Sequence, residues 1–143
     1  MGLSVPEDVV AIIRSAQAIA VVGCSGNVGK AAQRIPARLF RAGFRILAVN
    51  PNTACKEMFG SSVVGHLREL STPVDIVNVF RPSSDAADVA LAAAAMVPLP
   101  GCIWLQTGIR SAMARAVAEE AGIAYVEDRC LGVDVAELGI HRG

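Results

Sequence analysis

The stretch AIAVVGCSGNVGK, Ala18 to Lys30, holds the residues best placed to do chemistry. An apolar run ends at Gly23, glycines recur at Gly26 and Gly29, and Lys30 opens a helical pattern. A strand that breaks at a glycine-rich turn and enters a helix leaves backbone N–H groups unpaired at the helix N-terminus. Those donors, the positive end of the helix dipole and a lysine suit a phosphate. The chemistry implied is binding of an anionic cofactor, a nucleotide carrying a diphosphate. The spacing is G-x-x-G-x-x-G rather than G-x-G-x-x-G, so alone it also fits a tight turn that needs positive φ. Its place between a strand and a helix favours the phosphate.

Other reactive side chains form no catalytic set. Cys24 lies in the loop, where a helix N-terminus would lower a thiol pKa, but a small buried filler is the simpler reading. His66 and His141 fall on a peripheral helix and in the tail, and His66 reads as a surface residue. Glu127 and Asp128 could form an acid pair, although an ion pair with Arg129 is simpler. Cys24, Cys55, Cys102 and Cys130 are widely separated, with no CxxC pair and no His at ligand spacing. Zinc is therefore not expected, and free thiols in a reducing cytosol are.

The elements that must position the loop alternate along the chain. A helix is expected over 5–16, with Pro6, Glu7 and Asp8 in its first turn. Strands are expected at 18–22, 44–49, 74–80, 102–105 and 123–127. Between them come helices at 30–42, 63–70, 84–96 and 110–121, the second of these short. Pro36 is awkward inside its helix and should delay or kink it. Ser83 or Ser84 is expected to cap the alanine-rich helix. The tail from Asp128 reads as short and irregular. The fold class is α/β: one Rossmann-like, doubly wound, five-stranded parallel sheet of order 3-2-1-4-5 with helices on both faces. Residues 1–143 are expected to form a single domain.

Composition agrees with that layering. Apolar residues make up 53% of the 143 residues and aromatics only 4%, as suits a parallel sheet of small aliphatic side chains between helices. The formal net charge is +0, so no global field favours nucleic acid or an anionic membrane. No apolar run has the length of a spanning helix. The N-terminus carries Glu7, Asp8 and Arg14 ahead of its strongest apolar run and does not read as a signal peptide. Gly2 and Ser4 do not match a myristoylation signal.

In such sheets a ligand sits over the carboxyl ends of the strands. The first strand delivers Gly23, Cys24, Ser25, Gly26, Asn27, Val28, Gly29 and Lys30 there. The second delivers Asn50 and Pro51, and the third Phe80, Arg81 and Pro82. The fourth delivers Gln106, Thr107 and Gly108, and the fifth Asp128, Arg129 and Cys130. Asn50 replaces the carboxylate that would bind a ribose 2′-hydroxyl, which argues against NAD. NADP stays open, with Arg45 and Lys56 available. Lys30 and Arg34 could neutralise a diphosphate. Arg34, and Arg38 one turn on, read equally well as a solvated helix face.

On these residues the chain resembles the small stand-alone CoA-binding proteins, whose domain is similar to the N-terminal domain of the succinyl-CoA synthetase α subunit. The segments are VVGCSGNVGK, AGFRILAVNP, VDIVNVFRPS, WLQTG and EDRCLGVD, spread over about 15–139. The resemblance implies that the loop holds the CoA diphosphate, with Ser25 and Lys30 as its serine and its basic residue. It implies that Asn50-Pro51 and Phe80-Arg81-Pro82 frame the adenosine. It makes Trp104 a packing anchor and puts Gln106 and Gly108 along the pantetheine path. The chain departs from the family pattern at Lys30-Ala31-Ala32, where Arg-x-Ser is common, and at Ala48, where proline is common. The synthetase's second domain and its phosphorylated histidine have no counterpart here. The implied function is binding of coenzyme A or an acyl-CoA in the cytoplasm without catalysis, alone, as a homodimer or with a partner enzyme subunit. The alternatives are an NAD(P)-binding redox enzyme or sensor, and a thiol module in which Cys24 or Cys130 forms a mixed disulfide with CoA.

Overall fold

Helix α1, Glu7–Ser15, starts after Pro6 and buries Val9 and Ile13. Strand β1, Ala18–Val22, follows and is buried along its whole length. The computed structural model describes residues 5–142, so Gly2 and Ser4 lie outside the described residues. Helix α2 is Ala31–Arg41 and β2 is Arg45–Val49. A short antiparallel hairpin follows, β3 at Glu57–Met58 and β4 at Ser61–Ser62. Then come β5, Ile76–Val79, α3, Ser83–Ala94, and β6, Cys102–Leu105. Helix α4 is Ala112–Ala121, β7 is Ala124–Val126 and α5 is Leu131–Leu138.

Five of the strands form one all-parallel sheet, as expected, but in the order β2-β1-β5-β6-β7. Numbered among themselves they run 2-1-3-4-5, which corrects the expected 3-2-1-4-5. The reason lies in the connection after β2. Val64 bridges to Val49 in parallel, the Asn50 amide donates to the Val64 carbonyl at 2.8 Å, and the Val64 amide donates to Ala48. The outer edge of β2 is thus taken by its own following loop. The third strand, buried at all four positions, goes to the other side of β1. The topological switch point, where ligands sit in open α/β sheets, therefore falls between β1 and β5.

Each face of the sheet has its own core. Helices α1, α2 and α5 cover one face through Ile13, Ile35, Leu39, Leu131 and Val135 against Ile19, Val21, Ile46, Ile76 and Trp104. Helices α3 and α4 cover the other through Ala86, Ala90, Ala93, Ala114 and Ala118 against Val77, Val79, Ile103 and Leu105. The small alanines allow these two helices to lie close to the sheet and to each other.

Three local readings differ from the structure. The segment 63–70 holds only the bridge at Val64 and a 3₁₀ turn, Leu67–Glu69. Neither Ser83 nor Ser84 caps α3. Pro82 is its N-cap, and the Ser83 hydroxyl accepts from the Arg110 amide instead at 3.0 Å. The tail is not irregular, because α5 packs on α2. Gly132 lies so close under Ile35 that a Cβ there would stand 3.0 Å from its methyl group.

Candidate functional site

The loop after β1 is built from two side-chain turns. The Ser25 hydroxyl accepts from the Asn27 amide at 3.0 Å, and Asn27 Oδ1 accepts from the Gly29 amide at 2.9 Å. Arg34 crosses back to donate to the Gly29 carbonyl at 2.7 Å. Pro36 does not stop α2. It removes one donor from the helix, and the Ala32 carbonyl, which its N–H would have served, accepts from the Ser25 amide at 3.0 Å. The loop is stapled to the helix at that point.

Gly23 has φ +88°, and a Cβ there would stand 3.2 Å from Arg81 Cδ. The positive φ favours glycine, and a Cβ would also push the Arg81 side chain aside. Gly26 needs no positive φ; a side chain there would collide with the Cys55 thiol. Among the described residues, the amides of Gly26, Val28, Ala31 and Ala32 donate to no protein group. The Ser25 hydroxyl, already an acceptor, keeps its O–H to donate. The side chain of Lys30 is exposed and makes no ion pair among the described residues. This set has unspent donors and a cation, the requirements of a diphosphate.

Asn50 ties the ends of β1 and β2 together. Its Nδ2 donates to the Cys24 carbonyl at 2.9 Å, and its Oδ1 accepts from the Asn52 amide at 2.8 Å. An aspartate could accept but not donate, so this position suits an amide and not the ribose-binding carboxylate of a NAD site.

A cleft of about 410 Å³ opens beside the switch point, on the α3 face of the sheet. Val22, Val49, Leu67, Val89 and Ala92 line it with apolar surface, and Gly23, Pro51 and Arg81 reach it from the strand ends. Its size lies within the range of small-molecule sites. Arg81 is held by Asp85 at 2.9 Å, both side chains being partly exposed.

The structure brings the remaining expected residues together elsewhere. Cys24 and Phe80 pack into the core on the opposite face. The Cys24 thiol touches Met58 Sδ at 3.7 Å, and burial, with Cys55 nearby, pushes its pKa up to about 12. The side chain fills space in the core. Gln106 is buried, and its Oε1 accepts from Asn78 Nδ2 at 3.1 Å and the Leu131 amide at 3.2 Å. The Trp104 indole donates to the Arg129 carbonyl at 2.9 Å. Gly108 donates to Asp128 Oδ1 at 2.6 Å, and Arg110 donates to Asp128 Oδ2 at 2.6 Å. Asp128 therefore pairs with Arg110, while Arg129 pairs with Asp134 at 2.8 Å. The Gly108 amide, and then Arg110, hold the Asp128 carboxyl below the usual range. These bonds hold Asp128 at φ 55°, a left-handed conformation that aspartate tolerates better than most residues.

A family model for the CoA binding domain matches residues 17–136. The chain belongs to that CoA-binding domain family. The uncharacterised protein YneT of Bacillus subtilis (strain 168) is 33% identical over 125 residues, 85% of this chain and 87% of its own length. The structure of cell-free ID.343 from Thermus thermophilus superposes with TM-score 0.86 and 39% identity, covering 92% of this chain and 97% of that one. The dinucleotide-forming acetyl-coenzyme A synthetase 1 of Ca. Korarchaeum cryptofilum shares the fold, with TM-score 0.62 and 18% identity over 76% of this chain and 25% of its own.

For this CoA-binding domain, sequence reasoning missed much of the cleft wall. Gly65, His66, Arg68, Asp88 and Val89 line it, drawn from the crossover after β2 and from one side of α3. His66, expected at the surface of a peripheral helix, is among them. The signal available was the glycine at 65: a Cβ there would meet Glu69 Oε1 at 3.2 Å and Pro51 at 3.7 Å. Among the described residues, no helix is long and apolar enough to cross a membrane.

Proposed function

We propose that this protein binds coenzyme A or an acyl-CoA and catalyses no reaction of its own. The Ser25 hydroxyl, the loop amides and Lys30 take the diphosphate. Gly23, Asn50, Pro51, Arg81 and the apolar cleft beside them take the adenosine. Gly26, Asn27, Val28 and Gly29 give the loop its shape, and Pro82 starts α3 behind Arg81. Gln106 and Gly108 support the far end of the ligand path from one layer back, through their bonds to Leu131 and Asp128.

The single observation that carries this reading is the pairing of a donor-rich loop with an apolar cleft that share Gly23 at the switch point. Membership of the CoA-binding domain family supports the choice of nucleotide. The commitment of the Asn50 amide to the Cys24 carbonyl favours CoA over NAD.

Native mass spectrometry of the purified protein, followed by calorimetric titration with CoA, NAD and NADP, tests it. The expected result is micromolar CoA affinity with no measurable NAD or NADP binding. Tighter binding of NADP than of CoA would overturn the reading and direct attention to a redox role.

A further inference from the structure

Charge is distributed very unevenly along this neutral chain. Residues 9–56 carry seven Lys and Arg and no Asp or Glu, whereas residues 57–143 carry eleven acidic and six basic residues. Four of the seven cations, Lys30, Arg34, Arg38 and Arg41, follow α2 at spacings of four, four and three. At 100° per residue these positions fall within one narrow stripe of the helix. All four are exposed, and none forms an ion pair among the described residues. Helix α2 has no acidic residue to balance them. The arginines of the other half, by contrast, are largely matched: Arg81, Arg110, Arg115 and Arg129 all face carboxylates.

Apolar surface lies along the same stripe. Val28 is 74% exposed at its head. A groove of about 520 Å³ runs on from it, lined by Val28, Ile35 and Ala37 and edged by Arg34, Arg38 and Arg41. Arginine interleaved with exposed apolar side chains is the make-up of a protein interface centre, and arginine pairs carboxylates in a two-pronged geometry.

We infer that the outer face of α2 docks an acidic helical segment of a partner protein. The stripe is about three turns long, which sets the length of the matching segment. A long nucleic acid fits less well, because beyond the stripe it would meet the net-negative remainder of the chain. Two copies cannot join α2 to α2, since like charges would face each other. The stripe shares Lys30 with the proposed nucleotide site, but the inference rests on Arg38 and Arg41, which lie about two and three turns beyond the loop, outside that site.

The experiment uses the full chain and fluorescence anisotropy. The probe is a labelled helical peptide of about 18 residues with Glu at matching four, four, three spacing and Leu between. A labelled single-stranded oligonucleotide of about 18 nucleotides is the second probe. The expected result is peptide binding that weakens with salt and falls at least tenfold in the Arg38→Glu/Arg41→Glu double variant. CoA affinity of that variant should stay within twofold, so failure of the docking surface and failure of the CoA site are read separately. Equal peptide binding by the double variant, or no binding by the parent chain, overturns the proposal. So does tighter binding of the oligonucleotide, or a sedimentation shift showing that the acidic occupant is a second copy of this chain.

Discussion

The loop after β1 and the shelf formed by the ends of β6 and β7 occupy equivalent places at the carboxyl edge of one sheet, yet they are chemically opposite. In the loop, the amides of Gly26, Val28, Ala31 and Ala32 are unspent among the described residues, and Lys30 is unpaired. On the shelf, Gln106, Gly108, Arg110, Glu127, Asp128, Arg129 and the Trp104 indole all bond within the chain. Position at a strand end says where a ligand belongs. Spare hydrogen-bonding capacity says which residues are left to hold it, because a polar group already satisfied gains little from exchanging partners.

The sharpest way to break this contrast is to exchange the two kinds of damage. Gln106→Ala is expected to lower stability by about 2–4 kcal/mol, since the buried Leu131 amide loses its acceptor and Asn78 keeps only its long bond to the Trp104 carbonyl. CoA affinity of the folded fraction should change by less than threefold. Urea unfolding beside calorimetric titration reads both, and a large affinity loss at unchanged stability would move Gln106 into the ligand's contact set. Lys30→Ala should do the reverse: CoA binding weakens by about 1–3 kcal/mol through loss of a charge-assisted bond, while the urea midpoint stays put. Unaltered affinity would remove Lys30 from the site.

The smallest effect concerns acid. The Tyr125 hydroxyl, first among several partners, holds Glu127 below the usual carboxylate range, and the Gly108 amide does so for Asp128. In the unfolded chain both groups take up protons near their ordinary values of about 4. Their contribution is therefore complete above that pH and fades as pH falls toward the lower folded values. The urea midpoint should decline in that acid window, and Asp128→Asn should flatten the decline without touching CoA affinity at pH 7. Superimposable acid limbs for the two proteins would show that the shelf's ion pairs do not act this way.

Much of the fold was legible because apolar runs of the right length sit between turn residues, and the five strands fall close to where the runs do. Their order was not legible. It depends on Val64 occupying the edge of β2, a contact decided by how a loop of polar and small residues returns to the sheet. Helix α5 was missed although Leu131, Val135 and Leu138 recur at helical spacing, because Gly132 and the short length mask the pattern. In the candidate site, the turn after β1 was legible in its own glycines, with Gly23 at positive φ. Internal use of Gln106 could not be read, since its partner amide lies 25 residues away. His66 and Arg68 reach the cleft only through the crossover's path over β2.

Pro36 lies inside α2, and its missing N–H is felt at Ser25, eleven positions earlier. A carbonyl already serving a helix N–H has less capacity to offer a passing loop. By omitting one rung, α2 gains a fixed anchorage for the chain that precedes it. The anion-ready segment is consequently ordered when the domain folds and does not wait for a ligand. The entropic cost of arranging it then belongs to folding, and on the proposed function an incoming phosphate would meet a mould that has already set.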